Sequence, residues 1–335
     1  MKLKDKDLKQ LKAKGISVEE YELQIKRFTN GVADVKVLRY ASVDDGIIRF
    51  DNSDIKDFTD YYDQKNGVEV LKFVPASGAA TRMFKALHQF LSEVEVDNKD
   101  INTKLQLEDF KLLKPLLEQT DHLAFYPQAL AIAKEKMKNF EDLADKEKNL
   151  VILKYAIAEE GLNLGNLPKG LIPFHKYQDK TLTPFEEHLE ESVDYAENKA
   201  EVKLHFTIAE GLEKDFQTIL KQFLNKKAKN KIKYEVEYSN QKPSTDTIAV
   251  NEDNTPYRDE SGNLFFRPGG HGALIYNLNQ LDTDLIFIKN IDNVSKKSEH
   301  KDDTLTYKKV LGGLLLKLKQ QLDETTAELE ETQNQ

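Results

Sequence analysis

Apolar residues recur at helical spacing near the start of the chain. The spacing predicts one helix over residues 3–14 and a second over residues 18–28. Gly15 follows the first helix, at the position where a left-handed residue commonly ends one. Ser17 and Glu20, three positions apart, have the spacing of a capping box at the start of the second helix. Both helices are interpreted as scaffold.

Short runs of apolar and β-branched residues, bounded by turn residues, predict strands along the rest of the chain. The strands are predicted over residues 35–40, 68–74, 202–208, 232–238 and 284–289. Helical patterns separate most of these runs, over residues 83–94, 210–223 and 273–281, and another helix is predicted to begin at Ser53. This alternation predicts an α/β fold with a mostly parallel, Rossmann-like sheet flanked by helices. Ligands of such sheets bind beyond the carboxyl ends of the strands.

A polar segment with helical spacing over residues 97–165 interrupts the alternation and is interpreted as an insertion. Within it, residues 151–157 fit a strand and a helix equally well. Near the C-terminus, residues 303–329 predict one long helix, and an acidic, unstructured segment is expected over residues 330–335. The domains expected from these patterns are an N-terminal extension over 1–65 packed on the core, an α/β domain over 66–300 that carries the insertion, and a C-terminal helix and tail over 301–335.

The composition fits a soluble, globular protein. Hydrophobic residues make up 39% of the 335 residues and charged residues 32%, and no apolar run approaches the length of a bilayer span. The first residues lack the apolar stretch of a secretory signal, so a cytoplasmic location is expected. Cysteine is absent, which excludes disulfides, thiolate metal sites and cysteine nucleophiles. The net charge of −9 argues against a protein that coats nucleic acid.

A turn of small residues between a predicted strand and a predicted helix is the first candidate for chemistry. Small side chains let backbone N–H groups approach an anion closely, and the start of the following helix adds positive potential. Arg82 would supply a forked donor for phosphate oxygens. The alternative is an ordinary tight turn. The turn consists of Ser77, Gly78, Ala79, Ala80, Thr81 and Arg82.

Lys169 is a second candidate because of its neighbours. It stands between Pro168 and Gly170, immediately before an apolar segment that is predicted to form a strand. A strand there would hold the Lys169 ammonium at the edge of the sheet. The alternative is a solvated loop lysine.

Three glycines, Gly269, Gly270 and Gly272, surround His271 just before a predicted helix. A loop of this kind lets the backbone pack closely against a flat or anionic group. The alternative is a tight loop in which His271 only caps the helix.

Two polar residues follow predicted strands. Asp292 comes after an apolar strand, where α/β enzymes place a Mg²⁺ ligand, although alone it could equally cap a turn. Gln241 follows another strand, ahead of Pro243, and could offer its amide to the edge of a nucleobase. For Gln241 the alternative is an ordinary polar loop.

Taken in order, these segments resemble the nucleotidyltransferase-like superfamily, and especially its uridylyltransferase branch, the UDP-sugar pyrophosphorylases. That branch carries a Gly-Gly-x-Gly-Thr-Arg turn, a Pro-Lys, a Gln near a Pro, a Gly-His-Gly or Gly-Asn-Gly turn, and an Asp-Asn after an apolar strand. The corresponding segments here are residues 77–82, Pro168-Lys169, Gln241, Gly270-His271-Gly272 and Asp292-Asn293. The chain is also similar to an uncharacterised bacterial family, domain-of-unknown-function family 4301, in residues 168–175, 267–274 and 290–294.

The resemblance implies Mg²⁺-dependent transfer of a nucleotidyl group from a nucleoside triphosphate, by default UTP, to a sugar phosphate or similar acceptor, with release of pyrophosphate. It implies catalytic roles for Arg82 and Lys169, and it makes Asp292 a Mg²⁺ ligand. The nucleotide-binding residues that it implies are Ser77, Gly78, Ala79, Ala80, Thr81, Gln241, Gly270, His271 and Gly272. The expected partner is a nucleoside triphosphate or a nucleotide sugar, with neither nucleic acid nor membrane.

Three alternatives remain open. Ser77 and Ala80 stand where the branch has glycine, and the chain is short after Asp292, which both favour a non-catalytic nucleotide-binding protein. A shortened chain without activity of its own is a related alternative. A glycosyltransferase that uses a nucleotide sugar would carry an Asp-x-Asp metal motif at the end of a strand, whereas the Asp282-Thr283-Asp284 segment precedes its predicted strand.

Overall fold

The structure of the protein, a computed structural model, describes residues 3–78, 80–94, 96, 98–228, 231–296 and 301–333. The side chains of residues 81, 82, 98, 99, 301 and 333 lie outside this description. The chain divides into two compact units. The first unit comprises Met1–Val70, Ser239–Ile286 and Asp302–Gln335, and the second comprises Leu71–Tyr238 and Phe287–Lys301.

The described part of the chain is mixed α/β. Its α-helices are α1 (Asp5–Lys14), α2 (Val18–Asn30), α3 (Asn52–Asp63), α4 (Thr81–Glu93), α5 (Asn98–Lys104), α6 (Lys114–Glu118), α7 (Tyr126–Lys136), α8 (Asp145–Ile157), α9 (Pro184–Tyr195), α10 (Glu213–Lys226), α11 (Ile275–Leu278) and α12 (Lys301–Gln333). Its strands are β1 (Ser42–Val43), β2 (Gly46–Ile47), β3 (Val70–Pro75), β4 (His175–Lys176), β5 (Thr181–Leu182), β6 (Glu197–Asn198), β7 (Glu201–Ile208), β8 (Lys233–Asn240), β9 (Thr247–Ile248), β10 (Phe266–Arg267) and β11 (Leu285–Ile288). Short 3₁₀ turns occupy Glu108–Leu113, Thr120–His122, Phe140–Asp142, Leu164–Asn166, Lys169–Leu171, Pro243–Thr245, His271–Leu274 and Ile291–Asn293.

The first unit begins with the two predicted helices, and their ends are where the capping residues placed them. Gly15 ends α1 with a φ of 72°, a left-handed conformation that suits glycine. The Ser17 hydroxyl accepts a hydrogen bond from the Glu20 amide at 3.0 Å and so caps α2. Five buried side chains form the small core of this unit: Leu11, Ile16, Tyr21, Ile248 and Leu264.

Helix α12 confirms the predicted C-terminal helix and extends it. It packs on α3 through an ion pair between Lys309 and Asp63 at 2.9 Å. Gly313 lies so close to the Phe58 carbonyl oxygen that an added Cβ would be 2.0 Å from it. The prediction of an unstructured acidic end was wrong for residues 330–333, because the helix continues to Gln333. Residues 334 and 335 lie outside the described residues. Glutamate is a good helix former, which explains why an acidic sequence keeps helical structure.

The strand predicted over residues 35–40 is wrong, since the structure has no strand there. Val35, Val37 and Leu38 are 87%, 78% and 83% exposed, respectively. The β-branched pattern was present, but a strand also needs a partner for its backbone groups. Among the described residues, none pairs with this segment.

The main sheet of the second unit has the strand order β11-β3-β7-β6, with β8 also paired to β7. Strands β3 and β7 are parallel, and β6 and β7 are antiparallel. Every residue of β3 is buried, which confirms the prediction of a buried strand over most of residues 68–74. The largest side chains of the sheet core are Phe185, Phe206, Phe216 and Phe223.

The described residues of the segment predicted to be a helical insertion form α-helices and 3₁₀ turns, and their buried apolar side chains share one core with α4. Residues 151–157, which fitted a strand and a helix equally, belong to α8. Six residues of α8 are buried around much of its circumference, so no polar face marked the helical period. Among the described residues, none of the helices has both the length and the apolar character needed to cross a bilayer.

Candidate functional site

The predicted phosphate-binding turn lies between β3 and α4 in the second unit. Ser77 is partly exposed and Gly78 is exposed, and α4 begins at Thr81. The Ala80 amide donates a hydrogen bond to the Leu167 carbonyl at 3.4 Å, whereas no described residue accepts one from the amides of Ser77 and Gly78. The Ser77 and Gly78 amides are therefore better placed than that of Ala80 to bind an anion. Ala79, and the side chains of Thr81 and Arg82, lie outside the described part of the structure.

Lys169 contacts two other candidate segments. Its backbone amide contacts this turn, and its side chain contacts Asp292. The Lys169 amide donates to the Gly78 carbonyl at 3.1 Å. The Lys169 Nζ atom lies 2.7 Å from Asp292 Oδ2, and the two side chains are 29% and 46% exposed, respectively. Three motifs that are far apart in the chain thus come together in one place.

The local structure around Lys169 differs from the prediction. Lys169 begins a 3₁₀ turn rather than preceding a strand, and residues 172–174 form no strand. Prolines at 168 and 173 fix φ and remove backbone donors, which disfavours a strand between them. A Cβ added at Gly170 would lie 3.1 Å from the Ile291 side chain. The lack of a side chain at Gly170 therefore lets this turn approach the turn that carries Asp292.

His188 supports the turn that carries Asp292. This histidine is fully buried on α9, and its Nε2 lies 3.2 Å from the Asn290 carbonyl oxygen and 3.3 Å from that of Ile291. Burial, together with the nearby Lys72 ammonium, holds the pKa of His188 well below its ordinary value. A neutral imidazole that carries its proton on Nε2 donates to these two carbonyls. Its buried Nδ1 has no hydrogen-bond partner among the described residues, which agrees with this tautomer.

A buried charge network lies behind the same turn. Glu191 Oε1 is 3.1 Å from Lys72 Nζ, and Glu191 Oε2 is 2.7 Å from Lys289 Nζ. The Tyr195 hydroxyl donates to Glu191 at 2.9 Å. Burial alone would raise the pKa of the Glu191 carboxyl, but the two lysines outweigh it and hold that pKa well below its usual value. The network ties α9 to β3 and to Lys289, which follows β11 and stands three residues before Asp292.

The sequence reasoning missed His188 and this network. One signal was available, because Lys72 interrupts an otherwise apolar strand that was predicted to be buried. A lysine in that position requires a buried anionic partner. The sequence does not indicate which of the 58 acidic residues supplies the partner.

The glycine-rich loop lies in the first unit and precedes the 3₁₀ turn His271–Leu274. Gly270 is the capping residue of that turn, and the exposed His271 is its first residue, so His271 does not act as the cap. A Cβ added at Gly269 would lie 2.7 Å from the Thr245 carbonyl oxygen, whereas one at Gly270 or Gly272 would meet nothing within 4 Å. Only Gly269 is thus required by packing.

A cavity of about 690 Å³ opens beside this loop in the first unit. The residues that line it include Gly270, Gly272, Thr245, Gln24 and Arg27. Gln241 is close by but does not line the cavity, and its Nε2 donates to the Thr245 hydroxyl at 3.1 Å. The cavity is large enough for a nucleoside-sized ligand.

The Asp-x-Asp segment is used structurally. Asp284 Oδ2 accepts a hydrogen bond from the Glu69 amide at 2.8 Å, and the Thr283 hydroxyl donates to the Glu69 carbonyl at 2.9 Å. The hydrogen bonds of Thr283 and Asp284 give no support to an Asp-x-Asp metal site of the glycosyltransferase type.

The chain belongs to the family described as Domain of unknown function (DUF4301), whose family model matches residues 4–335. This membership confirms the similarity indicated by three sequence segments. No curated protein and no solved structure matches the chain.

Proposed function

We propose that the protein transfers a nucleotidyl group from a nucleoside triphosphate to the phosphate of an acceptor such as a sugar phosphate, with release of pyrophosphate. The observation that carries the proposal is the meeting of Gly78, Lys169 and Asp292, joined by contacts of 3.1 and 2.7 Å. A cation, a carboxylate and backbone amides in one place suit the phosphates of a nucleotide and the cation that accompanies them.

A mostly parallel, Rossmann-like sheet is part of the proposal. It is supported by the parallel pairing of β3 with β7 and by the hydrogen bond from the Lys289 amide to the Phe73 carbonyl at 3.1 Å. In such a sheet, the turn after β3 and the turn after β11 follow the carboxyl ends of neighbouring strands. That edge is where α/β sheets bind ligands.

In the proposed reaction, an oxygen of the acceptor phosphate forms a bond to the α-phosphorus. The bond from the α-phosphorus to the oxygen that bridges to the β-phosphorus breaks, and pyrophosphate leaves with the electron pair. The protein mainly positions the reactants and neutralises their charge. The Lys169 ammonium would bind the acceptor phosphate and the α-phosphate. The Ser77 and Gly78 amides, with Arg82, would hold the β- and γ-phosphates.

Mg²⁺ accompanies the triphosphate in this proposal, and Asp292 is its proposed protein ligand. Among the described residues, no three acidic or histidine side chains meet as a cation cage. A single carboxylate still fits Mg²⁺, because nucleotide sites bind this ion through one or two carboxylates together with phosphate oxygens and water. The Asp292 side chain is 46% exposed, so its carboxylate can reach such an ion. When bound, the ion would neutralise phosphate charge.

We propose separately, for the first unit taken by itself, that its cavity binds a nucleoside. Gly270 would contact the base, and His271 would contact the ribose. Gln241 would contact the base after it releases Thr245, to which its amide now donates. Uracil is the default base, because it is the base of the branch that the sequence resembles.

A non-catalytic nucleotide-binding protein is the second candidate. Two observations favour it. No three acidic or histidine side chains of the described residues meet as a metal site, and the Ala80 amide already donates a hydrogen bond to the Leu167 carbonyl. Both candidates predict nucleotide binding, and only the first predicts release of pyrophosphate.

The experiment is thermal unfolding of the protein with a panel of nucleoside triphosphates and nucleotide sugars, each with and without Mg²⁺. A ligand at about a hundred times its dissociation constant stabilises the native state by roughly 2–3 kcal/mol, which raises Tm by a few degrees. We expect a Mg²⁺-dependent rise with one base, and no rise in Asp292→Asn. The control is Asp179→Asn, which removes an exposed carboxylate outside the site.

The nucleotide that raises Tm is then incubated with candidate sugar phosphates, and pyrophosphate is measured. Release of pyrophosphate supports the transferase, and binding without release supports the second candidate. If no nucleotide raises Tm, both candidates are wrong.

A further inference from the structure

Helix α12 carries a row of exposed leucines along one face. Single exposed leucines are common on protein surfaces, but a continuous row of them marks a surface that another molecule covers. Each of these side chains is more than half exposed. The residues and their exposed fractions are Leu311 at 58%, Leu315 at 53%, Leu318 at 53%, Leu322 at 66% and Leu329 at 59%.

The spacing of these leucines is that of a coiled-coil seam. Successive members are four, three, four and seven positions apart, and Thr325 stands at the one seam position that lacks a leucine. This is the alternation of a and d positions in a heptad. At 1.5 Å per residue, the seam from Leu311 to Leu329 is about 27 Å long.

The seam is separate from the face that α12 uses within its own unit. Val310 is buried, Gly313 lies against the Phe58 carbonyl, and Lys317 Nζ is 5.5 Å from the centre of the Phe58 ring. Successive residues of an α-helix are turned by about 100° around the helix axis. The direction of these contacts from the axis therefore differs from that of the leucines by more than about 100°. The contacts with α3 therefore leave the seam open.

The charges along α12 indicate what covers the seam. Residues 308–319 contain four lysines and no acidic residue, whereas residues 323–331 contain five acidic residues and no basic one. Parallel pairing of two copies would place like charges together, and antiparallel pairing would place the basic half of one helix beside the acidic half of the other. We propose that α12 of two copies of this chain pairs in the antiparallel sense and makes the protein a dimer.

The leucine positions are self-complementary in this arrangement. In one register, Leu318 of each copy faces Leu322 of the other and Leu311 faces Leu329. In the same register, Leu315 faces Thr325. Each layer then joins an a position to a d position, as antiparallel coiled coils require. A single two-fold axis, level with Gln320, produces all of these layers.

The first test is the mass of the full chain in solution, measured by light scattering after gel filtration. We expect twice the chain mass for the natural sequence and the chain mass for Leu318→Glu/Leu322→Glu. The exposed positions of these leucines allow the monomer to fold, which circular dichroism and Tm would check. The matched control is Leu107→Glu/Leu112→Glu, which changes two exposed leucines of the second unit and should leave the dimer intact.

The second test determines the direction of pairing by disulfide cross-linking. The natural sequence has no cysteine, so any disulfide must form between the introduced cysteines. Leu311→Cys and Leu329→Cys proteins with different tags are mixed and oxidised. We expect a disulfide-linked dimer that contains both tags, with little linkage in either protein alone. A monomeric natural sequence, a dimer that survives Leu318→Glu/Leu322→Glu, or linkage within each variant alone would overturn the proposal.

Discussion

Lys169 Nζ and Asp292 Oδ2 are 2.7 Å apart, although 123 positions separate the two residues in the chain. Both side chains are partly exposed, and an ion pair of that kind contributes at most about 1 kcal/mol to stability. Stability alone therefore gives little reason for the two residues to meet. The proposed function would supply a reason for their position beside the turn after β3, because a phosphate and its cation need charges of opposite sign in one place.

The first prediction follows from this pair. Lys169→Gln and Asp292→Asn should each change the free energy of unfolding by less than about 1 kcal/mol, since the pair is partly solvated. Each should nevertheless abolish the Mg²⁺-dependent rise in Tm produced by the nucleotide. The double variant should likewise show no rise, because both residues act on one ligand. A full rise in Tm in either single variant would contradict this assignment.

The second prediction concerns the acid stability of the first unit. Arg258 Nη1 and Nη2 contact Asp7 Oδ1 and Oδ2 at 2.8 and 2.9 Å. These hydrogen bonds lower the pKa of the buried Asp7 from 3.8 to about 2. The shift corresponds to a contribution of about 2 kcal/mol to the free energy of unfolding when Asp7 is ionised. Because the folded-state pKa is lowered, this stability is present above pH 3.8 and is lost as the pH falls toward 2.

Asp7→Asn should therefore have a lower free energy of unfolding than the natural sequence at pH 6. The difference between the two free energies should become smaller as the pH falls from about 4 to 2. Urea unfolding at a series of pH values measures both free energies. Asp5→Asn, an exposed carboxylate of the same helical turn, is the control and should show no such narrowing. A difference that stays constant down to pH 2 would mean that Asp7 has no lowered pKa.

The third prediction concerns the buried network around Glu191. Glu191→Gln removes the carboxylate that contacts both Lys72 and Lys289, and breaking a buried ion pair by removing one partner costs roughly 3–5 kcal/mol of the free energy of unfolding. Urea unfolding near pH 7 should show that loss. Glu190→Gln is a matched control on the same helix, because its partly exposed pair with Lys227 should contribute no more than about 1 kcal/mol. Equal losses in the two variants would contradict this account.

The sequence predicted those parts of the fold that depend on neighbouring residues. The ends of α1 and α2 followed from Gly15 and Ser17, since a left-handed residue and a hydroxyl cap act within one turn. It failed over residues 35–40, where a strand pattern was present but no strand formed. Whether a pattern of that kind becomes a strand depends on distant partners.

The candidate site shows the same limit. The resemblance singled out Lys169 and Asp292, but it did not show that they form an ion pair. His188 carried no signal of its own, because its role is to donate to backbone carbonyls that any sequence would supply. A contact that depends on the packing of α9 against the end of β11 is set by tertiary structure and cannot be predicted from one sequence.

The last prediction separates packing from binding in the glycine-rich loop. Gly269→Ala should reduce the free energy of unfolding by about 1–3 kcal/mol, because its Cβ would lie 2.7 Å from the Thr245 carbonyl oxygen. Gly272→Leu should leave Tm nearly unchanged, since nothing lies within 4 Å of a Cβ there. Its side chain would occupy the cavity, however, and should remove the nucleotide-dependent rise in Tm. If Gly272→Leu keeps the full rise, this cavity is not where the nucleoside binds.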